Sequence, residues 1–150
     1  MKGSAMGFIR SFSRRAAVVD GGGAAVEFAF VFPVALVFFC GLLAYGMYFG
    51  AAHSVQQLAA DAARASVSGL DNAERTAIAR THVEVSGGSY PFLRADRISV
   101  RAEALEADPS QFRVHVSFNS EDLPIWALSG LIPLPRKTIE RVAVIKRGGY

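Results

Sequence analysis

The sequence predicts an α+β chain: a long N-terminal transmembrane helix continuing into a small exported domain with an antiparallel sheet. Three patterns carry that expectation. Phe28 to Ala52 is a run of 25 residues without Asp, Glu, Lys, Arg or His. Beyond it, apolar side chains return every three or four residues through Val55, Leu58, Ala59, Ala62, Ala63 and Val67. From Ile98 the period becomes two, the repeat of a half-buried strand.

The first element is a short leader, residues 1–22, basic and glycine-containing. Lys2, Arg10, Arg14 and Arg15 stand in it against Asp20, whereas the 18 residues after the apolar run carry one basic side chain, Arg64. Basic residues flanking a span are retained in the cytoplasm, so the N-terminus is expected inside and everything from about residue 53 outside. Beyond the span 12 basic and 11 acidic residues nearly cancel, so the net charge of +3 is made largely by the leader. No basic stripe interleaved with aromatics follows, and nucleic acid is not an expected partner.

The second element, 23–52, is the span. At about 1.5 Å per residue the 25-residue run reaches about 37 Å, more than a hydrocarbon core of about 30 Å. Two other readings of the run exist. One is the core helix of a soluble protein, rarely apolar on every face for this length. The other is a cleaved secretory signal, whose apolar core normally lasts about 7–15 residues, with Ala51-Ala52-His53 imitating its cleavage site.

The third element, 53–68, extends the helix with a narrow small-residue face opposite Gln56, Gln57, Asp61 and Arg64. The fourth, 69–150, is a small α+β domain. Gly69 is placed to stop the long helix, and Asp71 with Glu74 three residues later to cap a second one, running to about His82. "SGGSYP" then breaks the chain. Ile98, Val100, Ala102 and Ala104 alternate with polar neighbours, as do Phe112, Val114, Val116 and Phe118. The two segments are expected to pair as an antiparallel hairpin. A last strand over about Thr138 to Lys146 has two fairly apolar faces, which suggests a central or sandwiched position. Before it, "LPIWALSGLIPLP" is apolar but only 13 residues long and contains three prolines, too short for a helical span. It reads as a buried loop anchored by Trp126 or as a surface touching bilayer or neighbour.

No enzymatic pattern emerges, and no cofactor or metal is expected. Gly21 to Gly23 lead into alanine and an apolar helix, so neither a phosphate loop nor a dinucleotide fingerprint is satisfied. His53, His82 and His115 lack metal-site spacing, and Cys40, the one cysteine, lies mid-span.

Glu27 stands out. An ionised carboxylate is unfavourable in hydrocarbon by roughly 2.5–3.5 kcal/mol at a helix centre, less near an interface. It either marks the end of the span, its charge reaching the headgroups, or it is used. Removal of the leader between Gly22 and Gly23 would create an α-amino group four residues before Glu27, able to neutralise it within one helix or across two. Glycine suits the scissile bond because a missing Cβ lets a protease approach an extended backbone. Pro33 is placed to kink the helix, with plain tolerance as the other reading. Gly46 and Gly50 have a spacing that permits close helix approach, one that is frequent by chance. Tyr45 and Tyr48 fit an aromatic belt that sets depth.

"GGGAAVEFAFVFPVALVFFCGLLAYG", then "QQLAADAARA", then "LIPLP" and "TIERVAVIKR", together resemble the TadE-like minor pilin or pseudopilin family of tight-adherence (Flp-type) pilus systems. The likeness is strong over residues 20–68 and general in layout beyond. In the family's motif Gly22 takes the last leader position, Gly23 the first mature one, Glu27 the glutamate and Phe28 the aromatic that follows. Three consecutive glycines also permit a cut after Gly21 or Gly23; the position of Glu27 favours Gly22. The resemblance implies processing by a prepilin peptidase. It further implies partnership with other pilin-like subunits and inner-membrane pilus assembly proteins, and a place in the inner membrane or with the pilus. The function expected is assembly or priming of the pilus. The alternative is a bitopic envelope protein with an uncleaved signal anchor and an extracytoplasmic binding domain.

Overall fold

A computed structural model describes residues 19–105 and 108–146. They form helix α1 (Val19–Ala65), helix α2 (Asn72–Ser86) and strands β1 (Ile98–Leu105), β2 (Asp108–Asn119) and β3 (Thr138–Lys146). The chain divides into two units at Cys40/Gly41, and α1 contributes to both. The leader residues Lys2, Arg10, Arg14 and Arg15 lie outside the described residues.

In the first unit the helix is exposed on nearly every side, with Phe28, Phe30, Phe32, Phe38 and Phe39 all at least half exposed. Its most apolar 18-residue window is only 6% buried. A core helix of a soluble protein would be covered by its own chain. An uncovered helix of this composition is matched to lipid, and the protein is a single-pass membrane protein. The helix already includes Val19, four residues before the expected Gly23. Once a long helix is nucleated each added residue gains a backbone hydrogen bond, which carries it through Gly21, Gly22 and Gly23 despite about 1 kcal/mol per glycine.

In the second unit α1 turns one face inward. Ala44, Ala51, Ala52, Val55, Leu58, Ala59, Ala62 and Ala63 are buried, recurring at helical spacing. All but Ala44 share one core with Phe112, Val114, Val116 and Phe118 of β2, Ile139 of β3, and Ala79 and Val83 of α2. The many alanines permit a close approach of helix to sheet, and the large strand side chains fill the layer between.

At the end of α1 a 3-10 turn, Ser66–Ser68, leads to Gly69, whose φ of −71° is open to any residue. This glycine is required by space instead. A Cβ there would lie 2.7 Å from Arg75 Cγ and 2.8 Å from its backbone nitrogen. Arg75, buried, donates from Nε to the Gly69 carbonyl at 3.0 Å and so closes the carbonyl end of the long helix. Asp71 caps α2 as expected, accepting from the Glu74 N–H at 2.8 Å, while Glu74 reaches back to the Leu70 N–H at 2.8 Å. Helix α2 runs to Ser86, one turn beyond the expected His82, because Val83 continues its buried stripe from Arg75 and Ala79.

The sheet order is β1-β2-β3, antiparallel throughout. Ile98 pairs with Phe118 and Ala104 with Phe112, so the expected hairpin forms with its apolar residues on one face. Ile139 faces Phe118 and Ile145 faces Phe112 across the other ladder. The expectation for the last strand is corrected here: β3 is an edge strand, with Val142 and Val144 left 41% and 49% exposed. Its second apolar row has no layer to meet, since the buried core lies on one side of the sheet only.

Candidate processing and assembly site

Gly22, Gly23, Glu27, Phe28 and Pro33 all lie on α1 within the first unit. Gly23 and Glu27 are four residues apart, which in a helix is about 6 Å of rise and one shared face. A Cβ built on Gly22 or Gly23 would meet nothing within 4 Å. The fold therefore places no steric demand for glycine at either position. What glycine does provide is a weak stretch: relative to alanine, Gly21 to Gly23 make local unwinding easier by about 1 kcal/mol each. An extended backbone is the form a peptidase takes into its cleft.

Glu27 is exposed, and among the described residues it forms neither a hydrogen bond nor an ion pair. Its neighbour Phe28 stacks on Phe32 one turn on, with ring centroids 5.3 Å apart. The helix beside the carboxylate is thus apolar and aromatic, and among the described residues no basic side chain pairs with it. Pro33 lies within α1, which continues on both sides of it. Lacking an N–H, it leaves the carbonyl of Ala29 without its usual helical donor.

In the second unit the tyrosines assigned to an aromatic belt have a further task. Tyr45 Oη donates to the Pro133 carbonyl and Tyr48 Oη to the Arg136 carbonyl at 3.0 Å. Both tie the apolar loop to the helix. The loop is also held from inside: Ile125 is fully buried, and the Trp126 indole N–H donates to the carbonyl of Ser120, which confirms Trp126 as an anchor. Of the pair Gly46 and Gly50, only Gly46 is open. A Cβ on Gly50 would lie 2.7 Å from the Phe92 ring, so its groove is filled by the chain's own loop.

A polar cluster that sequence spacing did not reveal joins Asp61, Arg64 and Tyr90. Tyr90 Oη and Arg64 both donate to the Asp61 carboxylate. The Tyr90 bond, then that of Arg64, holds the Asp61 carboxyl below the usual carboxylate range. Burial, then the bond to Asp61, pushes the Tyr90 hydroxyl up to about 12. The arrangement fixes the loop at Tyr90 to the helix extension. Among the described residues no group of three or more His, Cys, Asp or Glu could hold a metal ion.

Residues 22–64 match the model of the TadE family, described as TadE-like protein. The match begins at Gly22 and takes in Glu27, Phe28, the span and the small-residue extension. No curated protein and no solved structure gives a match.

Proposed function

We propose that this chain, which is TadE-like over residues 22–64 and crosses the membrane once, acts as a minor pilin or pseudopilin in assembling or priming a tight-adherence pilus. TadE-like proteins are structural and not catalytic, and this chain is a pilin-type membrane protein in that general sense. In the proposed cycle the leader stays in the cytoplasm and prepilin peptidase cuts between Gly22 and Gly23. The new α-amino group of Gly23 then neutralises Glu27 of its own helix or of a neighbouring pilin-like subunit. Two charges at the edge of hydrocarbon are less unfavourable as a pair than apart, so neutralisation favours a packed bundle over separate helices. Inner-membrane assembly proteins and other pilin-like subunits are the proposed partners, with the residues from about 53 onward outside the inner membrane.

The observation that carries the reading is a glycine pair whose Cβ positions meet nothing within 4 Å, one turn before a carboxylate that has no partner among the described residues. An unbroken helix through Gly21 to Gly23 favours the other reading, an uncleaved signal anchor bearing a binding domain. A piliation assay separates them. Glu27→Ala is expected to insert normally and to lower the yield of sheared pili. Undiminished piliation by that variant would remove Glu27 from the mechanism.

A further inference from the structure

We propose that the loop from Leu128 to Pro135 is a second membrane contact, inserting Leu131 and Ile132 into the leaflet on the side of the second unit, beside the end of the span. This inference rests on the single span alone, so it stands apart from leader cleavage and pilus assembly.

The position of the loop along α1 comes first. A hydrocarbon core takes about 20 helical residues. Counted from Gly22 it would end at about Gly41, and counted from Phe28 at about Met47. That is the stretch the loop covers. Ile132 Cδ1 would lie 3.8 Å from a Cβ on Gly41, the Pro133 carbonyl accepts from Tyr45, and the Arg136 carbonyl accepts from Tyr48. From Tyr48 to Gly41 the loop descends about 10 Å along the helix, close to the depth at which amphipathic segments enter a bilayer boundary.

Polarity follows the same axis. At the Tyr48 end stand the exposed Arg136, suited to a headgroup phosphate, and Lys137, which pairs with Glu121 at 3.2 Å. At the Gly41 end Ile132 lies against the helix, its neighbour Leu131 is 65% exposed, and Leu42 and Leu43, which follow Gly41 in the helix, are exposed as well. Loop and helix thus both present apolar side chains at this end.

The backbone is also partly self-satisfied, which matters in a medium without water, where an unpaired N–H is heavily penalised. Of the five N–H groups from Ser129 to Leu134, three, those of Ser129, Leu131 and Ile132, donate to carbonyls of Trp126 and Leu128. Pro133 and Pro135 carry no N–H at all. Gly130, at φ +90°, makes the tight reversal that lets the tip close on itself.

The test uses the full chain in lipid vesicles, in a Cys40→Ala background that removes its one cysteine. Leu131→Cys is compared with Val85→Cys, a control on α2 that is 77% exposed. In vesicles, a membrane-impermeant maleimide should label position 131 about tenfold more slowly than position 85, equivalent to about 1.4 kcal/mol. A fluorophore at 131, and not at 85, should be quenched by lipids brominated on their acyl chains. Should Leu131→Cys fail to insert, Ser129→Cys, at an already exposed side chain of the same loop, gives the same reading. Equal labelling of loop and control would overturn the proposal. So would shielding without lipid quenching that grows with the protein-to-lipid ratio, since a second copy would then be the cover.

Discussion

Gly69→Ala is the substitution whose effect follows most directly from the coordinates. A methyl group at 69 would sit 2.7 Å from Arg75 Cγ, 2.8 Å from Arg75 N and 3.1 Å from its Cα. Two of those atoms are backbone, so relief requires the first turn of α2 to move away from the end of α1. That motion strains the Asp71 cap and the Arg75 bond to the Gly69 carbonyl. Overpacking of this kind costs about 1–3 kcal/mol, while alanine returns about 0.4–1 kcal/mol by restricting the unfolded chain, because φ of −71° is acceptable to it. The net loss is about 1–2 kcal/mol, or roughly 4–12 °C in Tm for a unit of this size. Gly88→Ala is the control, since its methyl would meet only Ala95 Cβ at an ordinary 3.5 Å. Circular dichroism melts in detergent compare the two with the parent protein. A Gly69→Ala protein as stable as the parent would refute the close approach of the two helices.

Tyr90→Phe should destabilise the second unit by about 1 kcal/mol, less than a fully buried bond to a charge because Asp61 is partly exposed. Asp61 has its folded pKa lowered, so its contribution is present above the unfolded value of about 3.9 and fades as pH falls. Tyr90 has its folded pKa raised to about 12, so its contribution is full below about 10 and fades as pH rises toward 12. The gap between variant and parent in urea midpoint should therefore be widest between about pH 4 and 10, and a gap unchanged at pH 3 would contradict the assignment. Gly22→Ala should leave the leader attached while the protein inserts in normal amount, because its methyl meets nothing within 4 Å. A lowered amount of inserted protein would show that glycine is needed by the fold after all.

Much of this was legible in the residues themselves. Twenty-five uncharged residues announce the span, and the change from helical spacing after Val55 to alternation after Ile98 announces the two layers. Asp71 and Glu74 announce the cap because capping is local and needs only three residues of spacing. What stayed hidden depends on chain closure. The apolar residues of β3 say that two faces are greasy, but only the finished layering shows that Val142 and Val144 face away from the core. Tyr45 and Tyr48 look like depth markers until each hydroxyl is seen bonded to a carbonyl 88 residues on. Asp61 and Tyr90 meet across 29 residues by the same kind of closure. Gly50 is matched to Phe92, an aromatic whose φ of 65° no periodicity foretells. At the proposed processing site the glycines and Glu27 stand in the sequence itself, and the structure adds only that a Cβ on Gly22 or Gly23 would meet nothing within 4 Å among the described residues.

The N-terminal residue of the membrane-bound protein, read by sequencing or intact mass from piliated cells, tests the central claim most directly. Cleavage that frees an amine to neutralise Glu27 predicts Gly23 as the first residue. Functional protein still carrying Lys2, Arg10 and the rest of the basic leader would contradict it.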